Sequence, residues 1–344
     1  MNISALGIDL AKTIFSVHGV DEYGKTVLRK TLSRAKLLPF LSTLPRCKVG
    51  MEACSGAHHF ARCLEKMGFE VRLMAAKFVG PYRKGGKNDG NDAEAICEAL
   101  MRPNMRFVMV KHEEQQALLS LHRVRESRVR ERTALINQLR GLLSEFGLVM
   151  PKGRHQAQQQ IPRLLEDAEN GLPWLVRTLL SDEYQRLLQL NEQLKNYDKQ
   201  IEQLATQHEA MKRMMTLPGI GAITATALMA SIGDIKNFKS GRELAAWLGL
   251  VPKQYSTGGK PRLGRITKHG DKYLRTLLIH GTRSVMNVLG DKQDRLSQWL
   301  RSVIERRGKK KAAVALAAKH ARIIWAMLSR GEAYQLKTAS LVEC

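Results

Sequence analysis

Short apolar runs alternate with amphipathic helical patterns over the first 110 residues of the chain. Each run is short, rich in aliphatic or β-branched residues and bounded by polar or turn-forming residues, which predicts a strand. Residues 21–24, DEYG, have the composition of a turn between two of these strands. Three strands followed by alternating helices and strands predict a mixed α/β layer. The predicted strands span residues 3–9, 13–20, 25–32, 48–52, 70–75 and 106–110, and the predicted helices span residues 35–44, 58–67 and 89–101.

From residue 113 to about residue 215 the pattern is almost entirely helical. Apolar residues recur at three- and four-residue spacing, as in Leu135, Leu139 and Leu143, with charged residues between them, and Pro151 and Pro162 interrupt the pattern. This predicts two long antiparallel helices or a coiled coil, and hence a spacer or an oligomerisation arm. A plain helical bundle fits the pattern equally well.

A third region begins at residues 217–221, LPGIG, and continues with helical patterns over residues 222–231 and 238–248. A basic, glycine-rich loop follows, and then helices to about residue 328. We therefore expect an α/β domain over residues 1–112, a helical coiled-coil or linker region over residues 113–213, a mainly helical C-terminal domain over residues 214–330 and a tail over residues 331–344.

The charge of the chain indicates which class of partner it binds. The 344 residues include 56 Lys and Arg against 32 Asp and Glu, a formal net charge of +24. Such a field favours a polyanion, because every phosphate that is neutralised releases condensed counterions. Ribosome-associated and membrane-surface proteins are the alternatives, but they usually concentrate their charge in tails or on one amphipathic face. Here the basic residues are spread along foldable sequence, which favours nucleic acid.

Cysteine usage and hydropathy indicate the compartment. The five cysteines are odd in number and form no C-x-x-C pair, which argues against a disulfide framework or a structural zinc site. The N-terminus has no signal region, and no apolar run approaches the ~20 residues that span a bilayer. We expect a cytoplasmic protein with no membrane partner.

Four carboxylates are the first candidates for chemistry. Asp9 lies inside an otherwise apolar strand, and Glu52 ends another. Burying either acid without a partner would be costly, whereas Mg²⁺ prefers hard oxygen ligands of this kind. Asp89 and Asp92 stand three apart at a helix start, so both project from one face. Together the four could hold two Mg²⁺ ions, which clamp the attacking and leaving oxygens of a phosphodiester displacement.

Each acid also has a plain structural interpretation. Asp89 or Asp92 could be a helix N-cap, Asp9 could cap the turn that follows it, and Glu52 could be a surface residue. Taken one at a time, these interpretations are as good as the catalytic one. Their joint placement in order along the α/β layer favours catalysis.

The glycine-rich loop, residues 254–260 (QYSTGGK), is the second candidate. Its backbone amides could approach phosphate closely, while the basic side chains hold a strand in register. A hydroxyl here is a candidate nucleophile, although Ser or Thr beside Gly is more often a turn residue. The LPGIG segment is similar to the hairpin of a helix-hairpin-helix module, or else is an ordinary Pro-Gly helix start. The candidate nucleic-acid contacts are Gly219, Gly221, Gly258, Gly259, Lys260, Arg262, Arg265, Lys268 and Arg275.

Several of these segments together resemble the transposases of the insertion-sequence 110 family, and within it the 1111 group, over nearly the whole chain. The segments are GIDLAK (7–12), MEAC (51–54), KNDGNDA (87–93), LPGIG (217–221), AWLGLVP (246–252) and STGGK (256–260). The third of them fits the highly specific signature K-x-D-x-x-D-A, and its Lys87 joins the candidate nucleic-acid contacts.

The resemblance implies a RuvC-like, RNase H-type N-terminal domain, in which Asp9, Glu52, Asp89 and Asp92 bind Mg²⁺, with Mn²⁺ as an alternative. It implies a C-terminal transposase domain whose nucleophilic serine bonds covalently to DNA; by position this is Ser256, with Thr257 as runner-up. It also implies a structured guide RNA from the element that pairs with donor and target double-stranded DNA. It implies a homo-oligomer, either a dimer or a tetramer, whose protomers share active sites. Finally, it implies a bacterial enzyme associated with the nucleoid.

Three functions follow as hypotheses. The first is this transposase or recombinase; the second is a RuvC-type, junction-resolving nuclease that uses metal-activated water; the third is a DNA-binding protein without catalysis. Ser256 discriminates between the first two, because a nuclease that activates water does not need it. The four acids discriminate between either enzyme and the third.

Overall fold

The computed structural model describes residues 2–86 and 88–335. The chain forms two compact units, Met1–Glu114 and Gln115–Cys344. The first is a mixed α/β layer and the second is mostly helical, so the predicted fold class is confirmed at that level. The unit boundary lies two residues from the predicted end of the α/β domain.

The N-terminal unit is built on a six-stranded sheet of order β3-β2-β1-β4-β5-β6. Strand β1 pairs antiparallel with β2 and parallel with β4, and β5 continues the parallel part. Most predicted elements are present within one or two residues of their expected ends, whereas β6 is shorter than predicted. The elements are β1 Ala5–Leu10, β2 Ile14–Val20, β3 Thr26–Ser33, α1 Arg34–Ser42, β4 Lys48–Glu52, α2 Ala57–Lys66, β5 Glu70–Met74, α3 Ala76–Val79, α4 Asp89–Leu100 and β6 Phe107–Val108.

The two faces of this sheet carry different helices. Because strand side chains alternate between faces, Leu6 and Ile8 of β1 join one core, which includes Leu37 of α1 and Leu64 of α2. Ala5, on the opposite face, joins a second core formed mainly with α4. Asp9 follows Ala5 and Gly7 in the same alternation and therefore lies on the α4 face.

The C-terminal unit is a set of helices with one small hairpin. Its elements are α5 Glu113–Glu145, which begins at the boundary, α6 Arg154–Glu166, α7 Trp174–Gln207, α8 Glu209–Met215, α9 Ala222–Ile232, α10 Gly241–Trp247, β7 Pro252–Gln254, β8 Leu263–Ile266, α11 Lys272–Asn287 and α12 Arg295–Arg330. The hairpin strands lie in the segment that the sequence predicts only as a loop.

Helices α5 and α7 run antiparallel, which is one of the predicted arrangements. Arg125 of α5 contacts Asp198 of α7, whereas Glu131 lies 2.9 Å from Arg186, so the numbers fall along α7 as they rise along α5. A third helix, α6, shares their core through Ile161. The region that the sequence predicts as two long helices therefore packs as three.

Pro162 does not interrupt the helical pattern, contrary to the expectation from sequence, because it lies inside α6. A proline has no N–H, so the carbonyl of Gln158 loses its usual intrahelical donor. The hydroxyl of Tyr184 donates to that carbonyl at 3.2 Å. A side chain of α7 thus replaces the missing backbone bond, and the helix continues past the proline.

Helix α12 is two arms that fold back on one another at Gly308. This glycine has φ 76° and ψ 159°, which is outside the helical region. The ammonium of Lys319 lies 4.1 Å from the ring centroid of Trp299, whereas a continuous helix would hold these residues about 30 Å apart. By length and composition α12 could cross a membrane. However, Leu316, Ile324 and Met327 are buried in the C-terminal unit, which accounts for its apolar character.

Two buried histidines lie in this unit. The Nε2 of His122 donates to the Thr226 hydroxyl at 2.9 Å, because that hydroxyl itself donates to Ala222, and Nδ1 accepts from Tyr273 at 3.0 Å. The ring of His320 is fully buried, and neither nitrogen has a hydrogen-bond partner within the described residues. Burial lowers the pKa of each histidine to about 4.

We expect these histidines to make the protein sensitive to acid. Their pKa values fall from 6.5 to about 4 on folding, so the unfolded chain takes up protons first and stability falls as the pH drops below about 6.5. The loss should be about 2 kcal/mol per histidine between pH 6.5 and pH 5. Denaturant unfolding at both pH values measures it, and His320→Leu should remove about half of the difference. An unchanged pH dependence in that variant would contradict the assignment.

Candidate active site

Two glycines allow helix α4 to lie directly on the sheet. A Cβ on Gly7 of β1 would stand 2.2 Å from the carbonyl oxygen of Ala93, and one on Gly50 of β4 would stand 3.2 Å from Ile96. Asp9 and Glu52 follow these glycines by two residues, so their side chains project from the same face of the sheet. Since Ile8 pairs with Met51 in parallel register, the two acids are neighbours at the ends of adjacent strands.

The direction of α4 brings its first turn to the same end of the sheet. Cys97 donates to the carbonyl of Ala5, while Ala93 lies against Gly7, so α4 runs opposite to β1. Two strand residues beyond Gly7 advance about 6.6 Å, and four helical residues before Ala93 advance about 6 Å. Asp89 is therefore level with Asp9. We call Asp9, Glu52, Asp89 and Asp92 the acid quartet.

Neither aspartate of α4 is its N-cap. That position is Asn88, whose side chain accepts from the backbone N–H of Asn91 at 2.8 Å. Asp89 is exposed, and Asp92 is half-buried and accepts from Arg83 at 3.2 Å. The capping interpretation of these two acids is therefore wrong, and both remain available for another role.

Asp9 and Glu52 share an electrostatic neighbour. Both acids are half-buried. The pKa of the Cys54 thiol is raised, first by partial burial and then by the negative charges of Glu52 and Asp9. A thiolate there would add a third negative charge, so Cys54 stays protonated and the local field attracts cations.

The donor chemistry of the quartet fits a hard divalent cation, since every member supplies carboxylate oxygen. Within residues 2–86 and 88–335, however, no three His, Cys, Asp or Glu side chains are grouped closely enough to hold a metal ion. Arg83, which is not among the predicted site residues, pairs with Asp92. The four acids therefore lie toward the same end of the sheet without forming a metal-binding group in the described residues, and Asp92 is paired with a counterion. Lys87 lies outside the described residues.

We expect Gly7→Ala to separate α4 from the sheet. The added methyl group would meet backbone atoms of Ala93 and Cys97 within 2.5 Å, so the helix must shift. The free energy of unfolding should fall by about 1–3 kcal/mol. The activity that the family resemblance implies should fall more than ~10-fold, because a shift near 1 Å misplaces the acids. Denaturant unfolding and an assay of that activity measure both effects. Gly80→Ala, with no atom within 4 Å of its Cβ, is the matched control and should leave both unchanged.

The candidate nucleophile lies on a β-hairpin in the C-terminal unit. Strands β7 and β8 pair antiparallel, and Thr257 bridges to Lys260 across Gly258 and Gly259. Both glycines have positive φ, 57° and 74°, as a two-residue hairpin turn requires. Ser256 is exposed and accepts a hydrogen bond from the Nε2 of Gln254 at 2.8 Å. The Gly-Gly pair was the sequence signal that could have predicted this hairpin.

The base of the hairpin is fixed by close backbone packing. A Cβ on Gly249 would stand 2.0 Å from the carbonyl oxygen of His269, and one on Gly270 the same distance from that of Trp247. Arg275, a candidate nucleic-acid contact, is half-buried and donates to the carbonyl of Leu248 at 3.2 Å. Its side chain therefore stabilises the base of the hairpin. The other basic candidates, Lys260, Arg262, Arg265 and Lys268, are exposed.

The LPGIG segment joins α8 to α9. Gly219 has φ 85° and packs backbone to backbone on Gly281 of α11, so packing explains this glycine. Gly221 is the N-cap of α9, has φ −98° and has open space where a Cβ would be. Neither packing nor backbone conformation requires a glycine there. The close approach of a phosphate would require a glycine at this position. Gly221 is therefore a stronger candidate for a nucleic-acid contact than Gly219.

Comparisons with known proteins identify two matching family profiles. The profile of DEDD transposases, described as "Transposase", matches residues 6–147, and one described as "Transposase IS116/IS110/IS902 family" matches residues 211–298. The chain is 48% identical to a "Probable family 20 transposase" of Pseudomonas aeruginosa, over 97% of this chain and 99% of the relative. It is 43% identical to the "Transposase for insertion sequence element IS1111A" of Coxiella burnetii, over 97% of this chain and 92% of the relative. It is also 43% identical to the "Transposase for insertion sequence element IS1328" of Yersinia enterocolitica, over 97% and 99%.

Proposed function

Because the chain belongs to the IS116/IS110/IS902 family of transposases, enzymes that cut and rejoin DNA, we propose that the acid quartet binds Mg²⁺ for this reaction and that Ser256 is the nucleophile. The proposal is supported by the placement of Asp9 and Glu52 at the ends of adjacent strands and by the packing of α4 on Gly7 and Gly50, which brings its first turn to the same end of the sheet. The hypothesis of a DNA-binding protein without catalysis is wrong, since the relatives are transposases.

DEDD transposases generally use divalent metal ions. When bound, such an ion would neutralise charge on the reacting phosphate and favour departure of the leaving oxygen. The protein's own contribution is placement: β1 and β4 hold two acids at adjacent strand ends, and α4 adds two more. Mn²⁺ is the alternative ion. We propose further that the N-terminal unit has a RuvC-like, RNase H-type fold, which the order β3-β2-β1-β4-β5 supports.

The serine reaction is a transfer of a phosphoryl group between oxygens. The Oγ of Ser256 forms a bond to phosphorus, the bond to one strand oxygen breaks, and the serine proton is lost while the leaving oxygen gains one. A second strand's hydroxyl then attacks the same phosphorus and releases Ser256. Gln254 orients the Oγ by its hydrogen bond at 2.8 Å. Each step forms one phosphate ester bond and breaks another. The strands are therefore rejoined without another energy source.

We assign the DNA-backbone contacts to the exposed hairpin and to the turn before α9. Gly258 and Gly259 have open space around their Cα atoms, so phosphate could approach their amides. The exposed cations of β8 and its flanks would neutralise the strand, and Gly221 would offer the N-terminus of α9. Arg275 acts through the hairpin base, and Gly219 through packing. Lys87 remains a prediction.

Guide RNA, homo-oligomeric assembly and an active site shared between protomers are also proposed. The net charge of +24 supports a polyanionic partner beyond the DNA site alone. The quartet belongs to one compact unit and Ser256 to the other. The antiparallel pair α5 and α7 is the candidate assembly arm. Bacterial transposases work in the cytoplasm in general, and we place this one on the nucleoid.

The test separates the transposase with a serine intermediate from a RuvC-type nuclease. Purified protein is incubated with DNA carrying the element ends, the flanking RNA and Mg²⁺. We expect a protein–DNA adduct that survives denaturation and a rejoined strand. Free DNA ends without an adduct would instead show attack by water and overturn the serine proposal.

A further inference from the structure

The turn between the two arms of α12 carries a dense group of positive charges. Five of the six residues from 306 to 311 are cations, and all five are exposed. The ion pairs of the described residues involve none of them. Glu305, also exposed, precedes them. We call Arg306, Arg307, Lys309, Lys310 and Lys311 the basic tip.

The basic tip is held on a packed helical hairpin. Leu300 and Val303 of the first arm share a core with Ala312 and Leu316 of the second. The contact between Lys319 and Trp299 closes the hairpin further from the turn. Ala312, directly after the tip, is completely buried. The charges therefore project from a defined position and do not belong to a loose tail.

The arrangement is electrostatically unfavourable without an anion. Neighbouring cations repel one another, and the three lysines occupy the first turn of the second arm, where the helix dipole disfavours positive charge. A bound polyanion would offset both effects, because its negative charge attracts the neighbouring cations and interacts favourably with the N-terminus of the second arm. The tip contains only Lys and Arg around a glycine, with no aromatic side chain that could stack on a base, so its chemistry suits phosphate and carries no sequence information.

We propose that the basic tip binds the phosphate backbone of duplex DNA irrespective of sequence, as a contact separate from the β7–β8 hairpin and the turn before α9. The proposal rests on the proposed function in that DNA is the substrate, but it is independent of which hydroxyl attacks. A tip of this kind would hold flanking DNA while the reacting strands are exchanged.

The test is the salt dependence of binding to a 30-base-pair duplex of arbitrary sequence by the full chain. The variant is Lys309→Gln, Lys310→Gln and Lys311→Gln together. Each lost phosphate contact lowers the slope of log K against log salt by about 0.9, so the slope should fall by about 2–3. At about 0.15 M salt this corresponds to a loss of DNA affinity of about five-fold for each lysine and about 100-fold for all three.

The matched control removes the same charge elsewhere in the C-terminal unit. Lys152, Lys236 and Lys239 are all exposed and lie outside α5 and α7, and their replacement by Gln should change affinity far less. Lysine-to-arginine changes at the tip should preserve binding. Equal losses in the tip and control variants, or an unchanged slope in the tip variant, would overturn the proposal. So would a loss confined to binding of the flanking RNA. The failure of the proposed function is distinct: the wild-type chain would then bind DNA with no adduct forming.

Discussion

Replacement of Asp9 by Asn is expected to lower the rate of strand transfer by at least about 1,000-fold while DNA binding persists. The amide keeps the shape of the side chain but removes its charge, and a neutral oxygen is a much weaker ligand for Mg²⁺. Asp9 lies on the central strand β1, beside Glu52 and level with Asp89, so it belongs to the part of the quartet that the sheet holds most firmly. Single-turnover kinetics on intact DNA, with the enzyme in excess, measures the chemical step.

The control for this experiment is Glu65→Gln. Glu65 is exposed on α2, on the other face of the sheet, and its neutralisation changes the net charge by the same amount. It should leave the rate unchanged. If Asp9→Asn weakened DNA binding and strand transfer equally, the acid would act in binding or folding and the metal proposal would fail. Retained thermal stability in Asp9→Asn completes the comparison.

The sheet and its acids could be predicted because strand periodicity is local. Alternating side chains along β1 and β4 show which residues face the core, and Asp9 and Glu52 stand out as acids in apolar runs. Helix α4 was predicted from its composition. What the sequence could not show is that Gly7 lets α4 touch β1, since this contact joins residues almost ninety positions apart.

Other features depend on tertiary partners in the same way. Pro162 predicts a helix end, but Tyr184 supplies the missing donor from another helix. Gly308 in a helical pattern ordinarily costs about 1 kcal/mol and is tolerated, whereas here the chain turns back and the arms pack. The pairing of Arg83 with Asp92 also follows from the fold alone. Local patterns give elements, and long-range contacts decide how those elements end and meet.

Replacement of Ser256 by Ala is expected to abolish both the covalent protein–DNA adduct and strand transfer. An alanine has no oxygen to bond to phosphorus, so the loss should be complete within the detection limit, about 10⁴-fold or more. Binding of duplex DNA should persist, because Ser256 is one exposed hydroxyl among many cationic contacts. Denaturing gel electrophoresis of labelled DNA measures the adduct, and the same reaction analysed for joined strands measures transfer.

Thr257→Ala is the matched control, since it removes the adjacent hydroxyl from the same hairpin. Thr257 is bridged to Lys260 at the turn, whereas Ser256 precedes it and accepts from the side chain of Gln254, which orients the oxygen of Ser256. Thr257→Ala should therefore retain the adduct. The reverse result, an adduct in Ser256→Ala and none in Thr257→Ala, would move the nucleophile by one residue. Adducts in both single variants and in the double variant would exclude the hairpin hydroxyls and leave the acid quartet to act with another nucleophile.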